Sequence, residues 1–233
     1  IQAAEGDIFL VARRVVNEGS LEAPEVRVVL EAGCDILLRP EGSQHRFIRT
    51  HSLEEEAALE NSGTIAAAVA ELRSTANPYT KAICHRGNIL SIKEGGGKIL
   101  LVAEKGTCEV SGSLIAQNGG TVHVLGDDVH LLNGANIDAP GELGGGTVLI
   151  GGDTQGKNSA IKNAKHTWVG QETHVRADAL RKGNGGKVIF WSDEATCHYG
   201  QISVRGGEEG GNGGFVEVSG PILDYRGFTD ARA

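Results

Sequence analysis

Methionine is absent from this chain of 233 residues, and aromatic residues make up only 4% of it. Its apolar residues are mostly Val, Ile, Leu and Ala, a composition that fits many short strands better than a helical bundle. Long apolar runs are missing too, so no membrane span is predicted. No charged and then apolar leader opens the chain. We expect it to be an internal piece of a longer protein.

A basic surplus is also absent, since the formal net charge is −8 and the isoelectric point is about 5.5. This charge disfavours nucleic acid and anionic lipid as partners. Neither glycine run, at 95–97 or 210–214, is followed by the Lys-Ser/Thr pair of a phosphate-binding loop. The four cysteines form no CxxC pair, so a structural zinc site is not expected. We predict no cofactor and no metal.

Glycine, by contrast, is abundant, with 35 residues, and it marks a repeat. A pair of glycines followed by an alternating apolar strand occurs five times. The steps between the second glycines are 23, 26, 40 and 28 residues. These second glycines are Gly97, Gly120, Gly146, Gly186 and Gly214.

A second phrase, a Gly followed by a short apolar strand, lies between these anchors. It occurs at Gly112, Gly134 and Gly200, with upstream echoes at Gly19 and Gly63. Such units cannot bury an apolar face alone but can do so when stacked. The pattern predicts an all-β fold, a parallel β-helix (β-solenoid) of about 20 to 28 residues per coil, with three strands in each coil.

The repeat predicts one β-helix domain over residues 1–233, with excursions at 40–60 and 153–167. Residues 51–60 are rich in helix-forming side chains, so we expect a short helix or loop there. Residues 63–72 are expected to be strands despite their alanines, because the repeat requires it. The 40-residue step is too long for one coil and predicts one and a half to two coils.

Three stretches carry a resemblance to a known family: residues 6–24 (GDIFLVA then VNEGSLEAP), 60–89 (ENSGTI, NPYTKAI, RGNI) and 177–220 (ADA, GGKVIFWSD, GGFVEVSG). They resemble large exoproteins of the filamentous-haemagglutinin type, which are exported by two-partner secretion. The resemblance implies a right-handed parallel β-helix, an outer-membrane transporter as export partner, and a location outside the cell or on its surface. Because the Asn-Pro-Asn-Gly phrase of the family's secretion domain is missing, we expect this chain to lie downstream of that domain or to be exported differently.

The cysteines are the first chemical candidates: Cys34, Cys84, Cys108 and Cys197. Between Cys108 and Cys197, Asp128 and Thr173 occupy the equivalent coil position. Three coil steps separate the two thiols by roughly 14 Å, more than a disulfide spans. We predict four free, largely inward-pointing thiols, with a disulfide involving Cys84 as the alternative.

No catalytic site is predicted. The acidic pairs at 127–128, 193–194 and 208–209 are adjacent in sequence, so the two carboxylates of a pair point to opposite faces of a strand. Trp168 is the better exposed of the two tryptophans and could contact a carbohydrate, although a packing role is more common for such a residue. The eight histidines are expected at the surface or at corners.

The favoured hypothesis is a non-enzymatic structural or adhesive shaft that contacts an unknown receptor or glycan on a host or neighbouring cell. A carbohydrate-active β-helix enzyme of the polysaccharide lyase or hydrolase kind is the alternative. It would need carboxylates that converge from neighbouring coils. A third hypothesis is a fibre subunit that self-associates end to end through its terminal strands.

Overall fold

The computed structural model describes residues 1–33, 35–38, 46–49, 58–75 and 81–233, and the side chains of all of these except 35–38 and 46–49. Cys34 and most of the predicted excursion at 40–60, including its helix-forming part at 51–57, lie outside the described residues. The last part of that excursion belongs to a strand, Leu59–Asn61.

Twenty-four strands follow one another along the described chain. They are β1 (Ile8–Ala12), β2 (Val15–Asn17), β3 (Ser20–Gly33), β4 (Asp35–Leu38), β5 (Arg46–Arg49), β6 (Leu59–Asn61), β7 (Thr64–Thr75), β8 (Lys81–His85), β9 (Asn88–Ser91), β10 (Lys98–Lys105), β11 (Thr107–Val110), β12 (Ser113–Ala116), β13 (Thr121–Leu125), β14 (Asp128–Leu131), β15 (Asn136–Asp138), β16 (Thr147–Ile150), β17 (His166–Val169), β18 (His174–Arg176), β19 (Lys187–Phe190), β20 (Ala195–His198), β21 (Gln201–Ser203), β22 (Phe215–Val218), β23 (Ile222–Tyr225) and β24 (Phe228–Asp230). A single 3-10 turn, Thr154–Gly156, is added to them.

The strands form two large parallel sheets that wind around a common interior. The smaller sheet has eight strands in the order β2-β6-β8-β11-β14-β17-β20-β23, one from each coil. The larger sheet joins two faces, one through β10, β13, β16, β19 and β22 and the other through β9, β12, β15, β18, β21 and β24, because the long β7 contributes to both. We number the coils 1 to 8 along the chain and call the faces first, second and third in chain order. The fold is the predicted right-handed parallel β-helix.

The interior is a thin aliphatic column that follows the strand alternation. On the first face Ile99, Val122, Val148 and Val188 are in register from coil to coil, and each is fully buried. Within each of these strands, the residues that alternate with the buried ones point outward, as period-2 alternation requires. Burial of a branched aliphatic side chain contributes about 1.5–3 kcal/mol. The stack therefore obtains its stability from many equivalent small contributions.

The repeat glycines form two vertical columns at the coil corners. A Cβ added at Gly146 or Gly186 would lie 2.1 Å from the carbonyl oxygen of the column glycine one coil earlier. The second column contains Gly63 and Gly87, and a Cβ at Gly87 would lie 2.0 Å from the Gly63 carbonyl oxygen. Close backbone approach, rather than an unusual φ, explains these glycines. The two phrases in the sequence are thus the two columns.

The 40-residue step is one coil and not one and a half to two. Strand β16 pairs directly with β19, and β17 and β18 complete that coil, which is coil 6. The extra length is an excursion at residues 151–165, which ends where β17 begins at His166. The predicted excursion at 153–167 therefore ended two residues too late. A second feature outside the coils is the antiparallel pair of β4 and β5.

Candidate functional site

The outward side of the second face carries a row of chemically active side chains. Along this face one outward position recurs in register on successive coils. It is occupied in turn by Cys84, Glu109, His130, Trp168, Cys197 and Asp224. Neighbouring coils lie about 4.8 Å apart, so these side chains form a continuous strip along the helix axis.

Trp168 lies in the middle of this strip and is half-buried. Its ring meets Tyr199 edge to face, with centroids 6.4 Å apart. The Tyr199 hydroxyl donates to the Asp224 carboxylate at 2.9 Å, and the Arg226 guanidinium lies 5.8 Å from the Tyr199 ring centroid. Arg226 also donates two hydrogen bonds to Asp224. An aromatic pair is thereby held in place beside paired charges.

A second polar group on this face brings together residues that are distant in sequence. His166 Nδ1 lies 2.7 Å from an Asp128 carboxylate oxygen, and His166 Nε2 lies 3.2 Å from a Glu194 carboxylate oxygen. The three residues come from coils 5, 6 and 7. Carboxylates from two different acidic pairs thus converge on one imidazole. The sequence could not indicate this, because the register across coil 6 depends on its excursion.

The three described cysteines have free thiols and differ in orientation. Cys108 points into the interior and is fully buried, whereas Cys84 and Cys197 occupy the outward strip. The inward orientation expected for all of them therefore holds only for Cys108. Its equivalents on the next two coils are Val129 and Thr167, not Asp128 and Thr173.

No two of the three described thiols are placed to form a disulfide. Cys197 lies three coils beyond Cys108, and its side chain points to the opposite side of the sheet. Cys84 is adjacent in register to Glu109, one position from Cys108, and also faces the other way. Burial raises the pKa of Cys84 to about 11 and holds the pKa of Cys108 further above its usual range. Both thiols are therefore poor nucleophiles at neutral pH.

The interior contains polar residues that the sequence reasoning missed. Asn17 Nδ2 donates to Asn61 Oδ1 at 2.7 Å, and Asn61 Nδ2 lies 3.0 Å from His85 Nδ1. His85 Nε2 then lies 3.2 Å from the Ser113 carbonyl oxygen. We call Asn17, Asn61 and His85 the polar ladder. Its members share one signal in the sequence. Each stands two residues before a glycine of the same corner column, which is Gly19, Gly63 or Gly87.

His198 is a second interior histidine, with a different environment. It is fully buried, and neither ring nitrogen has a hydrogen-bond partner. The ring meets Phe190 edge to face at 4.6 Å and stacks on Tyr225 at 5.4 Å. Burial lowers the pKa of His198 to about 4, and that of His85 also to about 4. Both rings are neutral at pH 7, so the expectation of surface histidines is wrong for these two.

The described residues contain no group of three or more His, Cys, Asp or Glu side chains arranged to hold a metal ion. Within the same part of the chain, no helix is long and apolar enough to cross a membrane. The outward side of the second face presents aromatic rings, carboxylates, imidazoles and thiols.

No protein-family model matches the chain, and no curated protein sequence matches it. Among solved structures it is similar to the HMW1 secretion domain from Haemophilus influenzae, with a TM-score of 0.78 and 28% sequence identity. The similarity covers 99% of this chain and 62% of that chain, so this chain spans less than two thirds of the solved one. The class that fold and similarity define is a right-handed parallel β-helix like that of a bacterial secretion domain. This agrees with the family resemblance in the sequence, at the level of the domain type.

Proposed function

We propose that the chain is a β-helical segment of a large bacterial exoprotein that an outer-membrane transporter partner exports by two-partner secretion. The observation that carries the proposal is the similarity to the HMW1 secretion domain over 99% of the chain. The exported product would be located outside the cell or on its surface. We propose only the kind of receptor that the parent protein contacts, which is a glycan or protein on a host or neighbouring cell.

The same similarity supports an inference about the position of the segment within its parent. The missing Asn-Pro-Asn-Gly phrase predicted a location downstream of the secretion domain. The similarity gives that location no support, because the matching chain is a secretion domain and the match takes in nearly all of this chain. We infer that the segment is part of the secretion-domain β-helix itself.

Export tests the proposal directly. The chain, preceded by a signal peptide, is expressed with and without the transporter encoded beside its parent gene, and its amount in the medium is measured. We expect release into the medium only with the transporter. Equal amounts in both cultures, with the chain folded in the periplasm, would contradict a secretion role. The periplasmic fraction, probed for β-structure, is the control for folding.

The role of the exported product is proposed to be structural and adhesive rather than catalytic. The alternative, a carbohydrate-active enzyme, has one observation in its favour, the convergence of Asp128 and Glu194 on His166. Both carboxylates already contact the same imidazole in this arrangement, which is a polar link between three coils. Incubation with acidic and neutral polysaccharides, followed by analysis for new reducing or unsaturated ends, separates the two roles. Cleavage that is lost in a His166→Ala variant would favour the enzyme.

Glycan contact is proposed at Trp168, because an aromatic ring beside fixed polar groups is the arrangement that stacks on a sugar face. Saturation-transfer NMR with a panel of oligosaccharides tests it. We expect signals that decrease in a Trp168→Ala variant and persist in a His174→Ala variant, which changes the third face instead. End-to-end self-association through the pairing of strand edges is a further proposal. Sedimentation across a concentration series would detect it.

A further inference from the structure

The excursion at residues 151–165, which we call the strap, lies against the outer surface of the β-helix. It leaves coil 6 after β16 and returns at β17. Within it, Asp153 accepts from the Thr154 backbone N–H at 2.7 Å and from Asn158 Nδ2 at 2.8 Å. The strap therefore has an internal hydrogen-bonded structure of its own and is a built element of the fold.

An apolar cluster lies beneath the strap, on the outward side of the first face. Leu100, Val102 and Leu125 are only 7%, 8% and 4% exposed, and Ile161 of the strap packs against them. They belong to coils 4 and 5. Outward positions on this face would otherwise be open to water, so burial of three large aliphatic side chains requires a cover. Ile161 contributes to that cover.

Polar contacts fix the strap to three further places. Lys162 Nζ lies 2.8 Å from an Asp127 carboxylate oxygen on coil 5, and Asp153 lies 2.7 Å from Lys187 Nζ on coil 7. The Gln155 backbone N–H donates to the Glu217 carboxylate of coil 8 at 2.9 Å.

Trp191 of coil 7 closes the same side of the strap. Its ring lies so close to Gly152 and Gly156 that an added Cβ at either would meet it within 3.0 Å. Asn163 Nδ2 of the strap and the Trp191 indole N–H both donate to the Asp193 carboxylate.

The strap belongs to coil 6 and contacts coils 4, 5, 7 and 8, so it reaches every coil from 4 to 8. In a stacked repeat, each unit normally contacts only its immediate neighbours, so stability is a sum of nearest-neighbour interfaces. The strap is different, because it links coil 4 to coil 8 through one segment. Loss of any one coil in this range therefore also removes a contact of the strap.

We propose that the strap is a lateral clamp that makes coils 4 to 8 open as one cooperative unit. Without it, the coils at the end of the stack would open before those in the middle, as terminal repeats do. With it, opening of coil 8 also breaks the Gln155–Glu217 contact and loosens the cover over coil 4. The clamp would hold the five coils at a common stability once the chain has folded.

Native-state hydrogen exchange on the whole chain tests the proposal. The strap variant carries Asp153→Ala and Ile161→Ser, which remove the internal cap, the Lys187 pair and the apolar cover. The matched control is Asp138→Ala, which breaks a carboxylate–Arg176 pair between coils 5 and 6 on the third face, away from the strap. A third variant, Glu217→Ala, removes only the contact with coil 8 and leaves the rest of the strap in place.

In the unmodified chain we expect β10, β13, β16, β19 and β22 to exchange with one common opening constant. In the strap variant, amides of β19 and β22 should exchange at least tenfold faster than those of β10, and the control should keep a common constant. The Glu217→Ala variant should separate β22 alone. If the strap variant fails to fold, the Glu217→Ala result decides. Separate opening constants in the unmodified chain, or a common one in the variants, would overturn the proposal.

Discussion

Alanine at Gly87 should destabilise the fold strongly, whereas alanine at Gly19, the first member of the same corner column, should not. A Cβ at Gly87 would lie 2.0 Å from the Gly63 carbonyl oxygen, and one at Gly19 would have no atom within 4 Å. Ordinary contact begins at 3.4 Å, so the coils would have to separate locally by about 1.4 Å at Gly87. The same Gly63 oxygen accepts the hydrogen bond from the Asn88 N–H at 3.0 Å.

The magnitude follows from the two effects of that separation. Overpacking costs about 1–3 kcal/mol, and a buried hydrogen bond left unmade costs about 1–3 kcal/mol more. We therefore expect Gly87→Ala to lower the free energy of unfolding by about 2–6 kcal/mol. Gly19→Ala should change it by less than about 0.5 kcal/mol, because nothing obstructs the added methyl group.

Urea unfolding followed by circular dichroism measures the difference between the two variants. The slope of the transition shows whether both unfold from comparably compact states. Since both substitutions add one methyl group to a glycine of the same corner column and lower unfolded-state entropy equally, Gly19→Ala is a matched control. A difference below about 1 kcal/mol between them would refute the reasoning that close stacking of backbone explains the glycines.

Three further predictions concern the interior and the thiols. His198→Phe should make the stability of the protein less dependent on pH on the acid side. The pKa of His198 in the folded protein is about 4, below the ordinary 6.5, so the unfolded chain takes up the proton first. The free energy of unfolding of the unmodified protein therefore falls by about 3 kcal/mol as the pH falls from about 6.5 to about 4, and the Phe variant should lack this loss. Unfolding titrations at a series of pH values check this, and an unchanged acid limb would count against it. Asn61→Leu should cost about 2–4 kcal/mol, because it leaves the other two members of the polar ladder without their partner; replacing all three by apolar residues should cost less than the sum of the single changes. In a Cys34→Ser background, an aromatic disulfide reagent should modify Cys197 in the folded protein and reach the two buried thiols only after unfolding, and equal reactivity of all three would contradict the placement.

The repeat could be read in advance because it follows from local rules. Glycine pairs, alternating strands and their spacing predicted three strands per coil, and the strands at 63–72 formed despite their alanines, since stacking overrides local helix propensity. On the first face Val148 and Ile150 are both fully buried, in agreement with the alternation that puts them on the same side of the strand. The outward Leu149 is buried as well, which the alternation alone does not explain.

What was missed depends on the path of the chain between coils. The 40-residue step was predicted to hold one and a half to two coils, because its length alone does not distinguish an extra coil from a strap. That choice shifts the register on the second face, and with it the partners of His166 and the equivalent of Cys108 on coil 6. The polar ladder was missed for another reason. Asn and His are ordinarily surface residues, and only a neighbour at the same corner of the next coil makes their burial affordable.

The sequence by itself determined the class of fold, the coil length and the two glycine columns, because each depends on residues close together in the chain. Only the tertiary structure decided which side chains meet across coils, namely Trp168 with Tyr199, His166 with Asp128 and Glu194, and the strap with coils 4 to 8. The physical reason is that stacking joins residues separated by a whole coil. A single excursion changes that separation, and the sequence indicated where the excursion lies but not that it accounts for all the extra length of the 40-residue step.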